Sequence, residues 1–142
     1  MDTYKLKFTQ LEQEIFSFLC LRAGEKLSQR EIAQSLKVSP TAIAKSLKKL
    51  LDINFARIEK TKTINFISLN RDKPLVIELK RAENLKNIYL SGLSDYLGEN
   101  LAGSTIILFG SYARGEDTNT SDIDIAIIER KEKKINLAPY EK

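Results

Sequence analysis

Residues 110–124 read GSYARGEDTNTSDID, and this stretch decides how the second half of the chain is interpreted. Ten residues separate Gly110-Ser111 from Asp122-Ile123-Asp124. The preceding run, Thr105–Phe109, is apolar and rich in β-branched residues, which predicts a buried strand, and Asp122–Ile128 predicts a second strand. Because Gly110 has no Cβ, a phosphate group can approach the backbone closely where the first strand ends. The pattern predicts a phosphate-binding turn beside paired carboxylates.

Asp122 and Asp124 are the candidate metal ligands. Residues two apart on a strand point to the same face, and the strand rise places their Cα atoms roughly 7 Å apart. Two carboxylates this close repel each other, and a bound divalent cation removes that cost. Proteins usually hold Mg²⁺ with carboxylates together with substrate phosphates. The pair therefore predicts a site for Mg²⁺ or Mn²⁺, although any solvated strand face can also carry Asp-x-Asp.

The residues between the two motifs predict a short helix and a polar loop. Ser111 supplies a hydroxyl group and begins the helix, and the free N–H groups at the start of the helix favour anions. Gly115 ends the helix. Arg114 is a candidate phosphate contact. The residues support equally well a surface ion pair between Arg114 and Glu116 or Asp117 in place of the phosphate contact.

Taken together, the two motifs, their spacing and their strand–turn–strand setting resemble the nucleotidyltransferase superfamily of polymerase β. They are more closely similar to its minimal members, whose signature is Gly-Ser, ten residues and then Asp-x-Asp. The resemblance implies that Gly110, Ser111 and Arg114 bind the triphosphate of a nucleotide. It also implies that Asp122 and Asp124 are catalytic, hold one or two Mg²⁺ ions, and serve transfer of AMP from ATP to a hydroxyl. Because some minimal members are antitoxins that adenylylate a tyrosine of a helical toxin, the implied partners include a protein acceptor.

The chain departs from the family pattern in one respect. The family carries a third carboxylate on the strand after Asp-x-Asp, whereas here Arg130–Lys134 follow the second strand and Asn136–Lys142 predicts the start of a helix. Glu129 and Glu132 are poor substitutes, because Glu129 lies roughly 17 Å along the strand from Asp124. The chain is therefore expected to be either truncated, which the helix start favours, or a natural short form that lacks full activity.

The first half of the chain predicts three helices and a hairpin between residues 8 and 70. Thr9, Ser28 and Ser39 are helix-capping residues, and Glu31 stands where a capping box with Ser28 requires it. The helices are expected at Gln10–Arg22, Gln29–Lys37 and Pro40–Leu51, and the hairpin strands at Phe55–Ile58 and Ile64–Leu69. This arrangement resembles a winged helix-turn-helix DNA-binding domain. The resemblance implies that the third helix is the recognition helix and that the hairpin is the wing.

The candidate DNA-binding residues lie on the third helix and at the wing tip. They are Thr41, Lys45, Lys48, Lys49, Lys60 and Lys62. Exposed lysines can neutralise the phosphates of duplex DNA. Residues 1–73 carry a formal charge of +6, from 14 Lys/Arg and 8 Asp/Glu, and residues 74–142 carry −2, from 9 and 11. The alternatives are a solvated lysine face on a helix that only packs, and a winged helix that binds protein.

The composition and the position of the polar linker narrow the possible function classes and the domain organisation. The chain has no histidine, which excludes Ser-His-Asp and Cys-His chemistry, and its single cysteine, Cys20, fits a core position in a cytoplasmic protein. No apolar run is long enough to predict a membrane span. The polar run Asn70–Pro74 predicts the boundary between domains 1–73 and 74–142. A helix from Pro74 to Tyr89 follows, with apolar residues at helical spacing at Leu75, Leu79, Ala82 and Leu85.

The expected fold class is α+β, with an N-terminal winged helix-turn-helix domain followed by a partial nucleotidyltransferase α/β domain. Two functions compete. One is a metal-dependent nucleotidyltransferase. The other is a DNA-binding transcriptional regulator whose nucleotidyltransferase fold only binds a nucleotide or a partner. The acceptor, the nucleotide base, the DNA site and the oligomeric state, a homodimer included, stay open.

Overall fold

The computed structural model describes residues 7–141. The chain divides into two compact units, Met1–Val76 and Ile77–Lys142, so the division falls three residues beyond the predicted boundary. In chain order, the elements up to the hairpin are α1 (Gln10–Leu21), β1 (Leu27–Ser28), α2 (Gln29–Leu36), α3 (Pro40–Asp52), β2 (Ala56–Lys60) and β3 (Asn65–Leu69). After them come α4 (Pro74–Leu90), α5 (Leu93–Asn100), β4 (Thr105–Phe109), α6 (Gly110–Arg114), β5 (Asp124–Ile128) and a 3-10 turn (Ala138–Tyr140).

The helices of the first unit begin at the capping residues that the sequence predicts. The Thr9 hydroxyl accepts a hydrogen bond from the Glu12 N–H at 3.2 Å. Ser28 and Glu31 form a complete capping box, in which each side chain accepts from the other residue's backbone N–H. Ser39 caps α3, and Pro40 occupies its first turn. These bonds satisfy N–H groups that a helix cannot satisfy internally, which is why the starts are readable locally.

The sheet of the first unit has β3 in its centre, with the antiparallel order β1-β3-β2. The two-residue strand β1 pairs Leu27 with Ile67 and was not predicted, because two residues are too few to show strand periodicity. The hairpin register pairs Ile58 with Ile67 and Lys60 with Asn65. The hairpin is therefore joined to the helices through β1.

An apolar core fills the first unit. Nine of its described apolar side chains are at most 1% exposed, namely Ile15, Leu19, Ala23, Ile32, Ile43, Leu47, Leu50, Ile67 and Val76. Cys20 is buried beside them, as predicted. Phe16 and Phe55 add an aromatic contact with ring centroids 5.3 Å apart. Because α3 turns Ile43, Leu47 and Leu50 inward, its opposite face is left at the surface.

The second unit is built differently. Strands β4 and β5 pair in antiparallel fashion, from Phe109 with Asp124 to Thr105 with Ile128. On α5, Leu93, Leu97 and Leu101 are buried. Partly buried apolar side chains pack against these three, namely Ile88, Tyr96, Ile125, Ile135, Leu137 and Tyr140.

One expectation about burial in this part of the chain is wrong. Strand β4 is not a buried strand, since Ile107 is 42% and Phe109 49% exposed. Burial of both faces of a strand needs a packed layer on each face, and the sheet described here has two strands with one face open. On α4, the apolar Leu75, Ala82 and Leu85 are exposed, whereas Lys80 and Asn84 are buried.

The C-terminal residues do not continue as an α-helix within the described chain. A 3-10 turn at Ala138–Tyr140 takes its place, and Lys142 lies outside the described residues. Asn136 closes a local turn, because its side-chain oxygen accepts from the Ala138 N–H at 3.0 Å. Its backbone N–H donates to the Tyr96 hydroxyl. Such local bonds compete with helix formation. None of the helices described between residues 7 and 141 has the length and apolarity that crossing a membrane requires.

Candidate functional site

The Gly110-Ser111 turn and Asp124 meet at one end of the sheet. Gly110 follows β4 directly and has a φ of 78°, in the left-handed region that favours glycine. A Cβ built on Gly110 would lie 2.2 Å from Oδ2 of Asp124. The carboxylate therefore occupies the space that any other residue's side chain would need. The two motifs converge because Phe109 and Asp124 are register partners across the sheet.

Asp122 is placed differently from the prediction. Strand β5 begins at Asp124, so Asp122 precedes the strand and does not share its alternating pattern. The reason is the register, because β4 ends at Phe109 and Gly110 turns the chain into α6, which leaves Asp122 no strand partner. Asp122 is exposed and Asp124 is half-buried. Asp124 thus lies against Gly110 and is held by the sheet, whereas Asp122 is exposed and outside the strand.

A third acidic ligand is absent from the site among residues 7–141. No group of three or more His, Cys, Asp or Glu side chains in that range is arranged to hold a metal. Glu129 follows the last residue of β5, and its carboxylate lies 3.6 Å from the ammonium of Lys133. Asp122 and Asp124 therefore stay the candidate ligands, with no third acidic side chain grouped with them among residues 7–141.

Ser111 and Arg114 lie on α6, the five-residue helix that begins at Gly110. Gly115 ends α6 in the left-handed conformation, and the Glu116 N–H donates to the Ser111 carbonyl at 2.9 Å. The Arg114 Nε donates to the Glu116 carboxylate at 3.0 Å, with both side chains more than half exposed. Arg114 thus forms the predicted surface ion pair with Glu116, while Asp117 pairs with Lys80.

Behind the turn lies a buried polar network that sequence reasoning missed. Lys80 is fully buried, and its ammonium donates to Asp117 at 2.5 Å and to the Asn84 side chain at 3.3 Å. The Asn84 amide donates to Asp117 at 2.7 Å and to the Tyr112 carbonyl at 2.9 Å. A weak signal was available, because Val76, Lys80 and Asn84 recur every four residues on one stripe of α4.

Tyr112 completes the connection between α6 and α4. Its hydroxyl donates to the Asn84 carbonyl at 3.0 Å. Burial raises the pKa of Tyr112 from 10.0 to about 12, and the negative charge of Asp117 adds to the rise. The hydroxyl therefore stays protonated at neutral pH and keeps its hydrogen bond.

Five of the six candidate DNA-binding residues of the first unit are exposed, and Lys49 is not. Thr41, Lys45 and Lys48 are exposed on α3, and Lys60 and Lys62 are exposed on the wing. Lys49 is half-buried and turned to the start of α1. Its ammonium donates to the Lys7 carbonyl, lies 3.8 Å from Glu12 and sits 5.3 Å above the ring of Phe8.

The comparisons with known proteins bear on each unit. Residues 90–142 match the family described as "Nucleotidyltransferase domain". The matched segment includes the Gly110-Ser111 turn, Asp122 and Asp124. No curated protein matches the sequence. The site motifs therefore lie inside a segment that is similar to a nucleotidyltransferase domain.

The solved structures to which the chain is similar include ZitR and AdcR. ZitR of Lactococcus lactis, in a variant form, has a TM-score of 0.50 and 20% identity over 67% of this chain and 63% of its own. The adhesin competence repressor AdcR of Streptococcus pyogenes has a TM-score of 0.51 and 15% identity over 72% of each chain. The chain thus spans under two thirds of ZitR, and the likeness is one of fold. The predicted fold class, α+β with winged-helix and nucleotidyltransferase parts, is confirmed.

Proposed function

We propose that the second unit transfers AMP from ATP to a hydroxyl group of an acceptor. The acceptor oxygen forms a bond to the α-phosphorus, the bond from that phosphorus to the pyrophosphate oxygen breaks, and the acceptor proton passes to solvent. One observation carries the proposal. The carboxylate of Asp124 lies against the backbone of Gly110, within the segment similar to a nucleotidyltransferase domain.

The residues around the turn have distinct roles in this proposal. The lack of a Cβ on Gly110 lets the Asp124 carboxylate lie against its backbone, and Ser111 offers a phosphate a hydroxyl donor. Arg114 can leave Glu116 for a phosphate at small cost, because an exposed ion pair is typically worth about 0–1 kcal/mol. Asp122 and Asp124 would hold Mg²⁺ or Mn²⁺. Their hard oxygen donors suit such a cation, which when bound neutralises phosphate charge and orients the reacting groups.

We expect ATP binding to be easier to detect than AMP transfer in this chain. Two carboxylates suffice to hold a metal with a triphosphate. Residues 7–141 present no third carboxylate beside them to align an acceptor. Misplacement of reacting groups by about 1 Å can cost on the order of 100-fold in rate. The 142-residue chain should therefore bind ATP with Mg²⁺ and transfer AMP slowly.

The test compares the wild-type chain with the double variant Asp122→Asn, Asp124→Asn. Titration with Mg²⁺ and ATP by calorimetry, and incorporation of labelled AMP into protein or RNA acceptors, should both be lost in the double variant. Asp95→Asn is the matched control, because it makes the same change at an exposed carboxylate on α5. Equal heats for wild type and double variant would end the proposal for this site.

A second candidate function is duplex DNA binding by the first unit. Its fold is similar to those of ZitR and AdcR, and Thr41, Lys45 and Lys48 stand exposed on the face of α3 opposite the core. Exposed lysines on such a face can pair with DNA phosphates. If the chain binds DNA but neither binds nor transfers a nucleotide, the regulator interpretation replaces the enzyme.

A further inference from the structure

The buried network of Lys80, Asn84 and Asp117 takes no part in the chemistry proposed above. An ammonium group with no exposure is costly unless a carboxylate and further hydrogen bonds compensate it, and here Asp117 and Asn84 do so. Since Lys80 is fully buried, its charge is not available to a phosphate or an acceptor. Its function must lie in what it connects.

The network joins α4 to the segment that lies between the two motifs. Asp117 lies two residues after Gly115 and five residues before Asp122. Asn84 also donates to the Tyr112 carbonyl, while the Tyr112 hydroxyl donates back to the Asn84 carbonyl. The Gly-Ser turn is thus followed by two anchored positions, Tyr112 and Asp117. Both anchors act on the same stretch of α4.

A close backbone contact adds a third anchor. A Cβ on Gly115 would lie 2.5 Å from the Ile77 carbonyl and 3.0 Å from the Arg81 nitrogen. The end of α6 therefore rests directly on the backbone of α4. Together, these contacts hold the chain at residues 112, 115 and 117.

Local structure alone cannot hold the turn in place. Helix α6 has five residues, and its N-cap residue, Phe109, makes no side-chain capping bond. Helices this short are unstable in water without tertiary contacts. The sheet register brings Gly110 to Asp124, and the orientation of α6 from Ser111 onward consequently depends on its contacts with α4.

We propose that Lys80, Asn84 and Asp117 are positioning residues that fix the Gly110-Ser111 turn against Asp124 in the geometry that binds the triphosphate. The inference rests on the proposed nucleotide site. Buried ion pairs often add little net stability relative to apolar residues of similar size. The network should therefore affect the geometry of the turn more than the stability of the fold.

The experiment replaces the ion pair by apolar side chains in the double variant Lys80→Met, Asp117→Leu. Lys86→Met is the matched control, because it makes the same change on the same helix at an exposed lysine paired with Glu83. Thermal unfolding, the Kd for ATP with Mg²⁺, and the amide NMR shifts of Gly110, Ser111 and Asp124 without nucleotide are measured. We expect near-wild-type unfolding, about 10-fold weaker ATP binding or more, and displaced amide signals. The control should show none of these changes.

The outcomes separate the inference from the proposed function. A folded double variant with unchanged ATP affinity and unmoved amide signals would overturn the inference and leave the proposed function standing. A wild-type chain that binds no ATP would overturn the proposed function and, with it, the inference that the turn is held for a triphosphate. If the double variant does not fold, Asn84→Ala takes its place, since it keeps the ion pair and removes the amide bonds to Tyr112 and Asp117. Unchanged binding and amide signals in that folded variant would overturn the inference equally.

Discussion

The two units of the chain differ in the side chains that they bury. Among the described residues of the first unit, nine apolar side chains are at most 1% exposed, and Glu12 is the one charged residue that is buried. In the second, Lys80, Asn84 and Asp117 are buried, while Ile107 and Phe109 on the sheet are exposed. Apolar burial is non-directional, whereas a buried ion pair requires a particular geometry. The first unit should therefore be most sensitive to lost volume, and the second to altered polar geometry.

Loss of a fully buried aliphatic side chain from the first unit should give the largest effect, well above loss of one from the open sheet of the second unit. Leu47→Ala is expected to destabilise the first unit by about 2–5 kcal/mol, because it removes buried methyl groups and leaves a cavity. Ile107→Ala changes a half-exposed side chain and should cost about 0.5 kcal/mol or less. Urea unfolding, monitored in each unit by hydrogen exchange, measures both changes in the free energy of unfolding. Similar costs at the two positions would remove the contrast between the units.

A Cβ at Gly110 should disturb the second unit through geometry. Gly110→Ala is expected to cost about 1–2 kcal/mol, from the left-handed φ, and to displace the Asp124 carboxylate. Gly98→Ala is the control, because Gly98 lies inside α5 with open space around its Cβ position, and alanine there should stabilise by about 0.5–1 kcal/mol. The measurements are denaturant unfolding and ATP binding. Unaltered ATP binding in Gly110→Ala would contradict the site geometry.

The buried polar network should make stability depend on alkaline pH. The pKa of Tyr112 is raised from 10.0 to about 12, so the folded state favours the neutral hydroxyl. This contribution is fully present below pH 10 and is lost as the pH rises to about 12. Tyr112→Phe should show a smaller loss of stability over that interval than the wild type. A tyrosine absorbance titration in which the Tyr112 transition falls at pH 10 would refute the expectation.

DNA binding offers the finest distinction, because it separates neighbouring lysines on one helix. Each lost phosphate contact should reduce the slope of log K against log salt by about 0.9. Lys45→Ala and Lys48→Ala should each show this reduction. Lys49→Ala should show less, since its ammonium is engaged by Glu12 and the Lys7 carbonyl. A larger effect at Lys49 than at Lys48 would mean that α3 does not face DNA as proposed.

Features that depend on near neighbours in the chain were predictable. The three capped helix starts, the wing hairpin, α6 and its terminating Gly115 follow from side chains within a few residues of one another. The Gly-Ser and Asp-x-Asp motifs were equally readable, because the chemistry of phosphates and cations restricts the residue types at fixed positions. The sequence alone therefore determined the fold class, and it predicted the candidate site residues.

What the tertiary structure decided are the features that depend on distant partners. Strand β5 begins at Asp124 and not at Asp122, because its partner strand ends at Phe109. Lys80 is buried because Asp117, 37 residues away, meets it, and Lys49 turns inward to a carbonyl 42 residues before it. The exposure of β4 likewise depends on which faces other elements cover. Sequence periodicity records which side chains are apolar, but long-range pairing determines which of them meet another layer and which charges find a partner.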